Sequence, residues 1–336
     1  MALWQFTSVT FMAPLASFVL TWITLAIVIR AWSDKILDHP NERSLHQQPV
    51  PRTGGIGVAV GVAVGALAVS PPEWWPLWVG AAFLVGISFL DDLVGLPIAG
   101  RLIAHFIAAA SCVAGLMVDP MGLLWVVVAI VATVWMTNLY NFMDGMDGLA
   151  GGMALFGFGF LAIAAWLAGD SPLALVSLSI ATAAGAFLFF NFHPARIFLG
   201  DAGSTTFGYL AAGLGLIGWR DGAWSLWFPM LVFSPFIIDA TVTLLRRIVQ
   251  GERFWKAHRT HYYQRLVLSG WSHRKASLVE YGVMCACGIS ALVFQQMSGR
   301  YQLLVVGIWV LVFLGLAHAV SLVEQRTSNQ GAFDGH

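Results

Sequence analysis

Charge is what this chain has least of: of 336 residues only 10% are Asp, Glu, Lys or Arg, against 58% hydrophobic ones, and the mean hydropathy is +0.77. So little charge excludes a water-soluble fold of this length and predicts an all-α integral membrane protein. The formal net charge is zero, and no nucleic-acid partner is expected. Basic residues are missing before Arg30, which excludes a cleavable signal peptide with a positive amino-terminal region and predicts a retained first helix. Only three cysteines occur, all in apolar stretches. Cys285 and Cys287 are two apart, which splays them around a helix, so packing is the reading for these two and for Cys112. No internal repeat, low-complexity tract or soluble domain interrupts the chain. One polytopic domain is expected over 1–323, followed by a short, frayed polar tail over 324–336.

What is present is a series of apolar stretches, each close to the length needed to cross hydrocarbon as a helix. About eleven are predicted: Ala13 to Ala31, Gly54 to Ser70, Pro76 to Leu90, Leu102 to Val118, Met121 to Thr137, Gly151 to Gly169, Leu173 to Phe190, Thr205 to Gly218, Ser225 to Leu245, Leu278 to Gln296 and Leu303 to Leu322. Gly57, Gly61 and Gly65 recur at four-residue spacing, a pattern for close helix approach. On this map every Lys and Arg except Arg220 and Arg300 lies on one side. That bias predicts an external amino terminus and a cytoplasmic carboxyl terminus, with Trp74, Trp75, Trp219 and Trp224 as an outer aromatic belt. Between Arg246 and Lys275 eight basic residues face one acidic residue, a segment suited to anionic lipid headgroups or an anionic substrate.

Four polar islands interrupt the apolar chain, all on the cytoplasmic side of this map. Asp91 and Asp92 directly follow the third span, where adjacent carboxylates call for a divalent ion, a basic partner or exposure to water. Asn138, Asn141, Asp144 and Asp147 lie three apart and form one stripe if the fifth helix continues through them. Such a stripe suits a hard cation or a sugar phosphate, although Asn, Asp and Gly also make caps and turns.

In the third island Pro194 ends a helix, Gly200 and Gly203 permit close backbone approach, and Ser204 or Thr205 is expected to cap the next span. Asp201 points into the same space and Phe198 offers a flat face for a base. In the fourth, His258, His261, Tyr262 and Arg265 fall on one helical face, with Arg259 beside them. That face is suited to pyrophosphate; a solvated basic helix is the plainer alternative.

Taken in order, FLDDLVGL, NLYNFMDGMDGLAGG, NFHPARIFLGDAGS and HRTHYYQRL resemble the polyprenyl-phosphate N-acetylhexosamine-1-phosphate transferases, over about Arg43 to Arg274. This superfamily includes the phospho-MurNAc-pentapeptide translocase. The resemblance implies transfer of a sugar 1-phosphate from a UDP-N-acetyl sugar to undecaprenyl phosphate, releasing UMP at the cytoplasmic face of the bacterial inner membrane. It implies magnesium, with manganese as an alternative, held by Asp201 and Asp92. Asp91 would activate the lipid phosphate, and Asp144, Asp147 and Asn141, with Asn138 beside them, would shape the nucleotide-sugar site. Asn191 and Phe198 would hold uracil, while His261 and His258, flanked by Arg259 and Arg265, would meet the pyrophosphate. Pairing into a homodimer, common in the pentapeptide branch, is a further expectation.

Two departures stand out. Leu93-Val94-Gly95 lacks the additional charged residue that several branches place after the paired aspartates, which leaves Arg101 to take that role. Tyr262-Tyr263 replaces consecutive histidines of the pentapeptide branch. That argues against a peptidoglycan precursor and points to the branch initiating O-antigen and lipopolysaccharide synthesis, with UDP-GlcNAc or a 6-deoxy sugar such as UDP-N-acetylfucosamine as donor. The rival readings are an intramembrane aspartyl protease, whose Gly-x-Gly-Asp form is absent, and a transporter, for which His105, Asp239 and Glu280 are the few mid-span ionisable residues. Asp239 is expected to serve packing within the bundle, with contact to the lipid phosphate as the alternative.

Overall fold

The structure, a computed structural model, describes residues 8–32, 36–38, 40, 45, 48–116, 122–253, 258–297 and 299–333. Arg43, where the family resemblance begins, lies outside them. In chain order the helices are α1 Ser8–Trp32, α2 Gly54–Leu67, α3 Trp75–Val94, α4 Ile98–Leu116, α5 Leu123–Phe142, α6 Leu149–Leu167, α7 Ser171–Asn191, α8 Gly200–Arg220, α9 Trp227–Val232, α10 Ser234–Val249, α11 Tyr262–Leu268, α12 His273–Gln295 and α13 Gly299–Phe333. Ahead of α2 a two-residue antiparallel ladder pairs β1, Leu37–Asp38, with β2, Val50–Pro51. The all-α expectation holds apart from this clip.

Among the described residues, eight helices are long and apolar enough to cross a membrane. The predicted eleven exceeds this for identifiable reasons. The 14 residues of α2 rise only about 21 Å. The ninth predicted span is two helices, α9 and α10, broken at Phe233 where Pro235 opens the second. Helix α8, rich in Gly, Ser and Thr, is buried along most of its length inside the bundle and needs no lipid-facing apolar surface. It packs against α3 and α5, while α6 packs against α7, and α1 and α2 close over α7. Outward-facing side chains such as Leu123 (81% exposed) and Leu311 (69% exposed) present apolar surface suited to lipid. Three caps fix helix ends locally: the Asp170 carboxylate accepts from Leu173 N–H, the Ser272 hydroxyl accepts from Lys275 N–H, and left-handed Gly95 closes α3.

Several boundaries differ from those predicted. Helix α3 runs a turn beyond Leu90, so Asp91 and Asp92 sit on the helix and are buried. Helix α8 begins at Gly200 in place of Thr205. Ser204 and Thr205 are therefore inside the helix, where their hydroxyls donate back to Gly200 and Asp201 carbonyls and cap nothing. The chain from Glu324, predicted as a frayed tail, continues in α13 to Phe333. The aromatic belt is incomplete, because Trp74 and Trp224 are buried within the protein; Trp224 Nε1 donates to Gly215 O at 3.0 Å. Cys112 and Cys287 are buried and all three cysteines are free, as packing requires.

The glycine stripe of α2 serves the close approach expected of it. A Cβ on Gly57 would meet Leu25, one on Gly61 would lie 1.9 Å from Thr21 Oγ1, and one on Gly65 would meet Ser17. At the other end of α2 a Cβ on Gly55 would lie 2.4 Å from the backbone nitrogen of Gly203, which cannot yield as a side chain can. Gly55→Ala is expected to lower the thermal midpoint in detergent, at a cost of about 1–3 kcal/mol. Gly86→Ala, whose added methyl meets open space, should leave it unchanged.

Candidate active site

Backbone pairing builds the centre of the site. Phe198 N–H donates to Pro51 O, Gly54 N–H to Phe198 O at 2.9 Å, and Gly55 N–H to Leu199 O at 2.7 Å. Gly200, at φ +73°, turns the chain into α8 against the Arg52 carbonyl, where a Cβ would come within 2.3 Å. This staple sets the amino terminus of α8 beside the carboxyl terminus of α3. Asp201, in the first turn of α8, accepts from Asn141 Nδ2 at 2.9 Å and from Arg101 Nη1 at 3.3 Å. Its side chain remains 32% exposed, so it faces an accessible space.

Arg101 also reaches Asp91 Oδ2 at 2.9 Å and so bridges Asp91 and Asp201, filling the position left open by Leu93-Val94-Gly95. Asp91 Oδ1 accepts from Leu96 N–H. Arg52 donates to the Asp92 backbone carbonyl and lies 3.6 Å from its carboxylate. The other carboxylate oxygen, Asp92 Oδ2, is buried without an aligned hydrogen bond, at the start of α8 where the Asp201 and Ala202 amides act on this carboxylate. The Asp92 and Asp201 carboxylates together are an oxygen-only donor set of the kind a hard divalent cation takes. The residues fit magnesium.

The predicted stripe on α5 is split. Asn138 and Asn141 are on the helix, but α5 stops at Phe142 and the chain turns, so Asp144 and Asp147 diverge. Asn138 Nδ2 donates to Val134 O within its own helix. Asn141 Nδ2 reaches both Asp201 and the Ser204 hydroxyl. Asp144 stays with the central group: burial, with repulsion from Asp201, Asp92 and Asp38, pushes its carboxyl up to about 8. Asp147 leaves it. Its carboxylate meets His193 Nδ1 at 2.7 Å, His273 Nδ1 at 3.3 Å and the Ala195 N–H. Burial acts to raise this carboxyl, but the imidazoles of His273 and His193 outweigh it and hold it below the usual carboxylate range.

Asn191 is buried with both ends of its amide bonded to backbone. Oδ1 accepts from Gly148 N–H and Nδ2 donates to Ile197 O, both at 2.9 Å, so it braces two loops and keeps one lone pair and one N–H beyond these bonds. Phe198 is half-buried at the staple.

The fourth island is not one helical face, because α11 begins only at Tyr262 and residues 258–261 precede it. His261 is buried beneath His258, whose ring stacks on it at 4.9 Å. Arg259 is exposed. Arg265 turns away, pairing with Glu324 of α13 at 2.6 Å and resting over the Tyr262 ring, because helical rotation points it outward. The start of α11 still adjoins the Asp144 loop: Tyr263 Oη donates to Phe142 O, and Gly145 fits beneath that hydroxyl only for want of a side chain.

Asp239 does more than pack. Its carboxylate faces His261 Nδ1 at 3.2 Å and accepts from the Tyr262 and Tyr263 amides and the Thr243 hydroxyl. A carboxylate so fully engaged is a brace for His261 and not a midplane transport group. Sequence reasoning passed over Arg52, His193 and His273. A basic residue just before Thr53-Gly54-Gly55 was a usable signal for Arg52; the two histidines come from separate segments and gave none.

Comparison with known proteins places these features in context. The profile of glycosyl transferase family 4 matches residues 74–218, which hold Asp91, Asp92, Asp144 and Asp201. The chain is 28% identical, over 91% of both chains, to a probable undecaprenyl-phosphate N-acetylglucosaminyl 1-phosphate transferase of Bacillus subtilis. It is 31% identical to a decaprenyl-phosphate N-acetylglucosaminephosphotransferase of Mycolicibacterium smegmatis, over 72% of this chain and 71% of that one. A phospho-N-acetylmuramoyl-pentapeptide-transferase of Synechococcus is 29% identical, over 79% and 84%.

The Asp144 carboxyl, raised from its ordinary value to about 8, is ionised in the unfolded chain from about pH 4 but neutral in the fold until about pH 8. The contribution of this group to wild-type stability therefore falls as pH rises through that window. Without divalent cations, Asp144→Asn should raise the thermal midpoint relative to wild type, by a margin that grows from pH 4 to pH 8 and then levels. A margin constant with pH would show that Asp144 is ionised throughout.

Proposed function

The chain belongs to the polyprenyl-phosphate N-acetylhexosamine-1-phosphate transferases of glycosyl transferase family 4, and from that membership we propose the reaction it performs. The protein transfers an N-acetylhexosamine 1-phosphate from a UDP-sugar to undecaprenyl phosphate, forming a lipid-pyrophosphoryl sugar and releasing UMP. UDP-GlcNAc is the preferred donor, since the relatives from Bacillus and Mycolicibacterium are named for N-acetylglucosamine; UDP-N-acetylfucosamine is the alternative. The product starts O-antigen or a related surface glycan, from an active site on the cytoplasmic side of the inner membrane with the amino terminus outside.

The observation that carries this reading is the convergence of Asp91, Asp92, Asp144 and Asp201 with Arg52 and Arg101 at one end of the bundle. Phosphoryl transfer between two anions depends on positioning and charge neutralisation more than on covalent chemistry. Bound at Asp92 and Asp201, magnesium would neutralise the phosphates and orient the one that reacts. Arg101, shared between Asp91 and Asp201, is the counter-ion an arriving lipid phosphate competes for. Its release would leave Asp91 free to take the acceptor's proton. An acceptor phosphate oxygen then attacks the sugar-bearing phosphorus, and the bond to UMP breaks. Asn141 holds Asp201 in place and Asp144 stands beside it. Phe198 offers its ring to the uracil, and Asp239 orients His261 towards the pyrophosphate beneath His258.

Purified protein in detergent, given undecaprenyl phosphate, magnesium and a panel of UDP-N-acetyl sugars, should release UMP only when lipid, metal and the right donor are all present. Asp201→Asn should abolish turnover, and Phe198→Ala should mainly raise the KM for the UDP-sugar. Asp239→Asn should lower kcat on the order of 10²-fold by letting the imidazole turn. Near-native turnover by Asp201→Asn would overturn the metal assignment.

A further inference from the structure

Asp147, His193 and His273 come from three separate segments: the α5–α6 turn, the link into α8 and the first residue of α12. One donor atom of each lies within 4.8 Å of those of the other two. The Asp147 and His273 side chains are buried, 8% and 12% exposed, while His193 is 39% exposed, so the cluster has a closed floor and one open side. We propose that these three residues form a zinc site, separate in donor chemistry from the oxygen-only group at Asp92 and Asp201.

Three observations support it. The donor set is two imidazoles and one carboxylate, which suits zinc and is a poor match for magnesium. His273 Nδ1 is buried and without an aligned hydrogen bond, although it lies 3.3 Å from Asp147 Oδ1. That separation is already the ~3.3 Å expected between two ligands of a tetrahedral zinc with bonds of about 2.0–2.1 Å. On the other side His193 Nδ1 hydrogen-bonds the second carboxylate oxygen, Asp147 Oδ2, at 2.7 Å, a contact that would give way as the ion enters. His193, the most exposed of the three, is the ligand placed to make that movement.

The frame around the donors is set before any ion arrives. The Ser277 hydroxyl and the Tyr281 hydroxyl donate to the Asp147 and Gly148 carbonyls, both at 2.7 Å, and Asn191 ties Gly148 to the segment that holds His193. The fourth position would face solvent on the His193 side. Occupied, the site would clamp together the loop that bears Asp144, the chain entering α8 and the start of α12.

The test is a metal measurement on tag-free protein, stripped with chelator, re-equilibrated with zinc in a large excess of magnesium, and desalted. About one zinc per chain is expected. It should fall to background in His193→Ala and in His273→Ala, and persist in Asp201→Asn. Cobalt(II) added to stripped wild-type protein should give the intense visible absorption of a tetrahedral site containing nitrogen ligands, a readout that needs no variant to fold. Absence of zinc from wild type, retention in both histidine variants, or loss in Asp201→Asn would each overturn the proposal. None of these outcomes depends on UMP release.

Discussion

Two glycines set back to back hold the functional end of this protein together. Gly55 and Gly203 let α2 and α8 meet backbone to backbone, with the Gly55 position only 2.4 Å from a peptide nitrogen were a Cβ present. The hydrogen bonds from residues 54 and 55 to 198 and 199 then close like a short piece of sheet between two helix starts. Only this approach brings the α8 amino terminus, with Asp201, against the α3 carboxyl terminus, with Asp91 and Asp92. Inside a bilayer such irregular backbone survives only where it satisfies itself within protein, and these segments do.

The close approach concentrates negative charge. Asp91, Asp92, Asp144 and Asp201 share a region in which Arg52 and Arg101 are the basic side chains paired to them. In a setting of low dielectric this repulsion is expensive, as the raised Asp144 carboxyl shows. A site in that condition is suited to receive positive charge, which in the proposed reaction a dication arriving with the pyrophosphate would supply.

Several polar residues near the site also hold the structure together. Asn191 spends both ends of its amide on backbone, Arg265 on Glu324, and Asp147 on two imidazoles. Each is a brace that holds a loop in register. Asp239 is the intermediate case, saturated by backbone and hydroxyl donors yet still in contact with His261. In a membrane protein a buried carboxylate must be satisfied locally, and here the same bonds that satisfy Asp239 also position the imidazole.

Composition and the four ordered islands were enough to determine the membrane class, the helical architecture, the family and the grouping of Asp91, Asp92, Asn141, Asp144 and Asp201. The class and architecture follow from local periodicity and residue chemistry, which a linear chain displays directly, while the family and the grouping rest on the resemblance of the ordered motifs. The glycine stripe of α2 was legible for the same reason, since four-residue spacing defines a helix face without knowledge of the partner. The split of the 138–147 stripe, the start of α8 at Gly200 and the outward turn of Arg265 were not legible. They depend on where a helix stops, and tertiary contacts decide that more than local propensity does. The pairing of Arg101 with both Asp91 and Asp201, the brace of Asp239 on His261, and the meeting of His193 and His273 at Asp147 arise only when distant segments pack. Geometry across the bundle decided them, because no spacing within one segment encodes a distance between two.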